Sequence, residues 1–497
     1  MRLATIHSRA NVGLHAPAVS VEVHLSAGLP KMSIVGLPEA AVKESKDRVR
    51  AAILNSKFDF PSSGRITINL APADLPKEGG RFDLPIALGI LAASRQINVQ
   101  DIGNYEFVGE LGLSGQLRPI KGVLPVALQT VKRKRTLVIP EKNKPEASLV
   151  NNIEVLTPLH LLDITAHLNG VQRLELAEIE IQELQETSYP DLADVKGQHH
   201  AKRALEIAAA GGHSMLMSGP PGTGKSMLAS RLPGILPPMT EQEALESAAI
   251  YSISQSSFNI EQWKRRPFRQ IHNSASPVAL IGGGSNPKPG EISLAHNGVL
   301  FLDEMPEFDR KVLEVLREPL ETGSITISRA SKHATYPSRF QLIAAKNPCP
   351  CGYLGDPSDR CTCRPLQIHR YQAKLSGPLL DRIDLHVEVP RATKELFEKN
   401  SNEESSETIR RRVCTARELQ IKRQHCINTL LEGRVLDKVC QLDDKAETLL
   451  MQATHKLKLS ARGMHRILKV ARTIADLNES AEIKTPHLSE AINLRKR

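Results

Sequence analysis

The chain carries an uninterrupted G-x-x-x-x-G-K-[ST] segment, Gly219-Pro220-Pro221-Gly222-Thr223-Gly224-Lys225-Ser226. Few sequence features restrict a fold so tightly, because this loop works between a strand and a helix. Its glycines free backbone N–H groups to curl around anionic oxygens. Its lysine reaches the outer phosphates, and its serine hydroxyl holds Mg²⁺. A helix starting at the loop adds the positive end of its dipole. The flanks supply both elements: Met215-Leu216-Met217 reads as a short buried strand and Met227-Leu228-Ala229 as a helix. An α/β unit holding ATP and Mg²⁺ is expected.

Further residues follow in an order that extends this chemistry. Val299-Leu300-Phe301-Leu302 reads as a buried parallel strand that delivers Asp303 and Glu304 to its C-terminal end, where α/β sites lie. Asp303 is expected on Mg²⁺ through water, and Glu304 is expected to polarise the attacking water. A third strand, Phe340 to Ala345, runs into Lys346-Asn347. Asn347 reads as a turn residue or as the group that positions water or reads the γ-phosphate. Arg382 stands between Asp381 and Asp384. It reads as their ion-pair partner or as an arginine finger for a neighbouring subunit's γ-phosphate. Arg462 opens the last long helix as a phosphate sensor or a plain helix-start arginine, with Arg466 as the alternative one turn on.

At 497 residues, two to four domains are expected. Residues 1–170 alternate strands such as Val21 to Leu25 and Ile66 to Leu70 with helices at Ala40 to Leu54 and Leu84 to Ala93. The basic run Lys132-Arg133-Lys134-Arg135 reads as a solvated helix end or loop. Residues 171–195 form an acidic linker, because Leu174 to Val195 contains no basic residue. Residues 196–395 hold the nucleotide motifs, and 396–497 form an α-helical lid. A polar loop from Asn400 to Glu407 caps its first helix. One later face collects Met464, Ile467, Leu468, Ala471 and Ile474.

No apolar run is long enough for a bilayer, and the first residues lack a signal-like apolar core. A cytoplasmic protein without a membrane partner is expected. The formal charge of +10 suits an anionic partner. Aromatics make up only 3%, which argues against a base-stacking platform and leaves phosphate contacts. Cys349-x-Cys351 and Cys361-x-Cys363 supply four thiolates, a set that suits structural Zn²⁺, with free thiols as the alternative. Cys414, Cys426 and Cys440 read as inert thiols.

In this order the residues resemble the AAA+ ATPases, with Asp194-Val195-Lys196-Gly197-Gln198 similar to the segment that frames adenine there. Leu280 to Gly284, Pro289 to Gly298 and Asn347-Pro348-Cys349-Pro350-Cys351-Gly352 resemble the Mg-chelatase-related branch. The resemblance extends to the ComM/YifB family over essentially the whole chain. It implies an AAA+ ATPase core with an α-helical lid, preceded by a Lon-protease-like (S5-type) α+β N-terminal domain. It further implies a homo-hexamer with ATP between subunits, and helicase and branch-migration activity that promotes integration of incoming DNA in natural transformation and recombination. Single-stranded, forked or branched DNA and recombination proteins are the partners it implies. Hairpins are implied at Leu280 to Ala295 and at Ile325 to Arg339, the second offering Arg329, Lys332 and His333 in a basic turn to DNA.

The Lon-like resemblance rests on Pro76 to Gly80 and Val108 to Gly115. That family uses a Ser–Lys dyad. Arg81 stands where the serine belongs and Leu124 where the lysine belongs, with Lys121 out of register, so proteolysis is not expected. The alternatives are a metal-chelatase-type motor subunit that remodels a protein partner, and a passive DNA clamp. The Asp303-Glu304 pair argues against the clamp.

Overall fold

The computed structural model describes residues 3–62, 64–178, 189–254, 259–284, 287–329, 332–356, 360–391 and 403–495. Parts of the acidic linker, the polar loop before the lid and the centre of the second hairpin's turn therefore lie outside the described residues. The chain forms two compact units. One joins Met1–Gln185 to Ala244–Trp263 and Ser328–Tyr336; the other comprises Glu186–Glu243, Lys264–Ile327 and Pro337–Arg497. The first unit thus takes in two segments that sequence reading assigns to the ATPase core.

Alternation of apolar residues builds the first unit. Its sheet contains β1 (Leu3–Arg9), β2 (Ala18–Ser26), β3 (Lys31–Val35) and β4 (Arg65–Ala71) in the order β1-β2-β4-β3. Only the β3–β4 pair is parallel. Val19, Val21 and Val23 of β2 and Ile66, Ile68 and Leu70 of β4 are buried, as period-two strands with one covered face require. The wholly buried helix Asp83–Ala93 belongs to the same core. A three-stranded parallel sheet of β5 (Tyr105–Phe107), β8 (Thr136–Val138) and β9 (Val155–Leu156) follows, with a ribbon of β6 (Glu110–Leu111) and β7 (Leu117–Arg118). The basic run ends the helix Val123–Lys132, and its Arg135 pairs with buried Glu106 at 3.3 Å.

The strands that follow are β10 (Met215–Ser218), β11 (Phe268–Ile271), the two-residue ladder β12 (Gly282–Gly283) with β13 (Lys288–Pro289), β14 (Val299–Leu302), the hairpin β15 (Ser324–Arg329) with β16 (Lys332–Pro337), β17 (Gln341–Lys346) and β18 (Leu385–Glu388). Five of them form one parallel sheet, β11-β14-β17-β10-β18. Its central strands are apolar along Met215–Met217, Val299–Leu302 and Leu342–Ala345, as strands covered on both faces are, and polar residues stand only at the ends of β10 and β17. The second hairpin corrects an expectation. Strand β15 runs through Arg329 and β16 resumes at Lys332, so Arg329 to His333 is not one turn. The alternation that buries Ile325, Ile327, Ala334 and Tyr336 carries the pairing toward the tip.

Five helices close the second unit: Ser406–Gln424, Gly433–Val439, Asp444–Leu457, Ala461–Leu477 and Thr485–Asn493. Ser405, Asp443 and Ser460 cap three of them, each accepting a backbone N–H. Ile467, Leu468, Ala471 and Ile474 are buried and Met464 is half-buried, in one hydrophobic core with the sheet residues Met215, Phe301 and Ile343. Among the described residues, no helix is long and apolar enough to cross a membrane.

Candidate active site

The phosphate-binding loop leaves β10 and enters the helix Lys225–Ile235. Two glycines make this path possible. A Cβ at Gly219 would lie 2.2 Å from the Val389 carbonyl oxygen, and Gly224 takes φ +85° as the helix N-cap. Thr223 Oγ1 ties the loop to Pro220 O at 3.0 Å. Lys225 Nζ donates to Gly219 O and Pro220 O, both at 2.8 Å, and to Asn347 Oδ1 at 3.3 Å. Burial holds the Lys225 ammonium below the usual lysine range, while the charges of Asp303 and Glu304 oppose that shift.

Register brings the other groups to the same edge of the sheet. Ser218 pairs with Lys346, and Leu302 with Ala344, so β10 and β17 end side by side and β14 two residues short of them, which brings Asp303 and Glu304 to the same edge. Ser226 Oγ donates to Asp303 Oδ2 at 2.7 Å, which sets the two oxygens expected around Mg²⁺ side by side. A hydroxyl and a carboxylate are the hard donors that this ion takes. The left-handed backbone of Glu304, φ +50°, turns the chain just after the strand, and Glu304 N donates to Asp303 Oδ1 at 3.0 Å. Its side chain is exposed. Tyr371, which no sequence motif marks, also stands at this edge. It is buried, and its hydroxyl bonds the Asn347 backbone; burial and the charge of Glu307 push it up to about 12.

The arginines are arranged differently from their sequence neighbours' pattern. Arg382 is buried and pairs with neither Asp381 nor Asp384. Its Nη2 lies 2.5 Å from Glu321 Oε1, and its Nη1 donates to Pro378 O at 2.7 Å. Among the described residues, none of its hydrogen bonds goes to the phosphate loop. Arg462 lies at the start of the helix Ala461–Leu477, exposed, 3.3 Å from the same Glu321 oxygen. Arg466 is committed to Asp384, so as the alternative sensor it is already occupied. Asp384 also accepts from Ser214 N at 3.0 Å and lies 3.6 Å from His213 Nδ1. Burial would raise its carboxyl, but the Arg466 charge and His213 hold it well below the usual carboxylate range.

The four clustered cysteines come together. Cys349, Cys351, Cys361 and Cys363 place their sulfurs within 4.8 Å of one another. The separations include 3.3, 3.7 and 3.8 Å. A tetrahedral Zn²⁺ site with Zn–S near ~2.3 Å has S···S edges of about 3.8 Å, so the set fits such an ion. The Tyr353 backbone N–H pulls the Cys351 thiol down to about 6. Gly352, at φ +84°, lies against the phosphate loop: a Cβ there would meet Pro221 Cδ at 2.7 Å.

In the first unit, Arg81 and Leu124, the two positions to which the Lon-like resemblance would give a dyad, are both buried. Arg81 Nη2 donates to Lys121 O at 2.8 Å, and burial lowers its guanidinium to about 10. Leu124 N donates to Glu146 Oε1 at 2.9 Å. Neither position carries a nucleophile or a base. Arg329 and Lys332 end and begin the facing hairpin strands.

These elements define an α/β unit with a phosphate-binding loop on a parallel sheet, followed by a run of helices. Family models described as magnesium chelatase, subunit ChlI, match residues 191–397, and its C-terminal part matches 403–495; a further model, subunit ChlI of Mg-chelatase, matches residues 21–143. Competence protein ComM of Haemophilus influenzae is 52% identical, covering 100% of this chain and 98% of that protein. YifB of Salmonella typhimurium is 49% identical, covering 100% and 97%. The magnesium-chelatase 67 kDa subunit of Heliobacterium mobile is 26% identical over 44% of this chain and 37% of its own length. The chain belongs to the ComM/YifB family of Mg-chelatase-like AAA+ proteins.

Proposed function

We propose that this chain is the subunit of a cytoplasmic, homo-hexameric, ATP-driven DNA motor with helicase and branch-migration activity, serving integration of incoming DNA in natural transformation and recombination. The observation that carries the reading is the separation of the cationic groups. Lys225 sits beside Ser226, Asp303 and Asn347, whereas Arg382 and Arg462 are gathered elsewhere on Glu321. A site that needs an arginine finger then draws it from a neighbouring subunit. Lys225 and the loop amides would hold the phosphates, Ser226 and Asp303 would hold Mg²⁺, Glu304 would polarise the attacking water, and Asn347 would position that water. The bound Mg²⁺ supplies charge neutralisation at the phosphates.

DNA contact is assigned to the β15–β16 hairpin through Arg329 and Lys332, acting on phosphates rather than base edges. The likeness to the ComM protein of Haemophilus influenzae, over the full length of both chains, supports this direction. The N-terminal unit is assigned a Lon-like, non-proteolytic scaffold role, and the four cysteines a structural zinc.

Strand displacement on forked and three-stranded DNA tests the motor, comparing wild type with Lys225→Ala and Glu304→Gln. Wild type is expected to move both substrates and both variants to move neither. A wild type that moves neither, with an ATPase indifferent to DNA, ends the DNA-motor reading. The likeness to the magnesium-chelatase subunit favours a second reading, a motor that remodels a protein partner. That reading gains if only a protein fraction stimulates ATP turnover.

A further inference from the structure

Two arginines remote in sequence converge on one carboxylate. Glu321 lies in the last turn of the helix Arg317–Thr322. Its Oε1 is 2.5 Å from Arg382 Nη2 and 3.3 Å from Arg462 Nη1. Guanidinium groups brought this close repel one another unless an anion lies between them. Glu321 is that anion. Arg382 is otherwise confined: it is buried, Nη1 is on Pro378 O, and Nε has no hydrogen-bond partner among the described residues. Arg462 is largely exposed, and Glu321 is less than half exposed.

The position of Glu321 along the chain adds a second observation. The helix that carries it stops at Gly323, where φ is +67°, and passes straight into β15. One turn therefore separates the carboxylate from the hairpin strand. A shift of the hairpin along its strands pulls on the helix end and on Glu321. A phosphate and a carboxylate also present the same kind of paired oxygens to a guanidinium fork, so they compete for these arginines.

We propose that Glu321 couples the hairpin to ATP hydrolysis: it restrains Arg382 and Arg462 in the resting subunit and releases them to a neighbour's nucleotide when the hairpin moves. It is a positioning residue, acting through the arginines. The proposal rests on the intersubunit reading above. An ordinary surface ion pair would predict almost no effect of its loss, since such pairs contribute little.

Steady-state ATP turnover by the full-length protein, with and without saturating forked DNA, tests it. In Glu321→Gln, DNA-free kcat is expected to rise about fivefold and the DNA-stimulation ratio to fall toward one, since freeing a restrained group is a modest change in barrier. Glu321→Ala should do the same, and Glu321→Asp should keep wild-type stimulation. A melting temperature within about 2 °C of wild type separates release from unfolding. Wild-type stimulation in both Glu321→Gln and Glu321→Ala, or a parallel loss of both rates, overturns the coupling role. Arg382→Ala separates the two layers of argument. If it turns over ATP like wild type, the intersubunit reading falls and the coupling falls with it. If it is inactive while Glu321→Gln tracks wild type, the intersubunit reading stands and only the role of Glu321 is lost.

Discussion

Replacing Asp384 with asparagine removes one charge from the joint between the nucleotide-binding sheet and the lid. Asparagine keeps an acceptor for Ser214 N and Ser214 Oγ, now at 3.0 and 3.1 Å, so those bonds survive. What disappears is the charge that neutralises Arg466. Breaking a buried pair by deleting one partner costs about 3–5 kcal/mol. Asp384 is 3% exposed and Arg466 22%, so water relieves part of the loss and the lower end, about 3 kcal/mol, applies. That is on the order of a hundredfold in a local opening equilibrium. Hydrogen exchange of peptides from Ala461–Leu477 reads it directly, with peptides from Asp83–Ala93 as the internal reference. Lid peptides should exchange on the order of a hundredfold faster, and the reference should not change. Arg466→Met completes a double-mutant cycle, in which the double variant should be no worse than the poorer single. Strict additivity, or equal acceleration of both peptides, would refute the argument. The sign with pH follows from a depressed folded pKa. The pair's contribution is complete above the unfolded value of about 3.9 and is lost as pH falls below it, so the advantage over Asp384→Asn narrows only under about pH 4.

Gly219→Ala places a methyl group 2.2 Å from the Val389 carbonyl, so the loop must move; nucleotide affinity by fluorescence titration should fall about tenfold or more, the shift expected of roughly 1.4 kcal/mol or more of overpacking. Unchanged affinity would show that the close approach does not matter. Metal analysis of freshly purified protein should give about one zinc per chain, and less in Cys351→Ser. Because Gly352 abuts Pro221, that variant should also raise the KM for ATP, and metal-free wild-type protein would rule the site out. Arg329→Ala with Lys332→Ala should weaken DNA binding at every sequence tested and lower the salt-dependence slope by about 2, one per lost phosphate contact. An unchanged slope would remove these residues from the DNA interface.

The sequence makes local chemistry visible and long-range pairing invisible. Gly219 to Ser226 and Val299 to Glu304 could be read because strand, loop and functional group are contiguous, and β10 and β14 stand where that reading puts them. Asn347 was legible for the same reason, at the end of β17. Arg382 was legible as a residue of interest but not its partner: two acids beside it in the chain look sufficient, yet Glu321, 61 residues away, takes the guanidinium. Asp384 and Arg466, 82 residues apart, were hidden likewise. The cysteines signalled a shared site through spacing alone, whereas the approach of Gly352 to Pro221 has no signature in either segment. Tyr371 offered no cue, since a tyrosine in a helix reads as core.

The make-up of the first unit has a consequence for how the protein is made. Glu146 receives the Ser252 hydroxyl, and Gly122 N donates to Ser252 O at 2.9 Å. Gly13 lies beside Ala334, with a built Cβ 3.9 Å from its Cβ. These partners are translated long after residue 170. A ribosome that has just released the first 170 residues has therefore made most of the amino-terminal core but not all of it. Its buried Glu146 waits, still short of one hydrogen bond, for a segment that is synthesised only after the phosphate-binding loop. Maturation of the two units is thus interleaved in time, and a fragment cut at the apparent boundary would begin life with an unfinished surface.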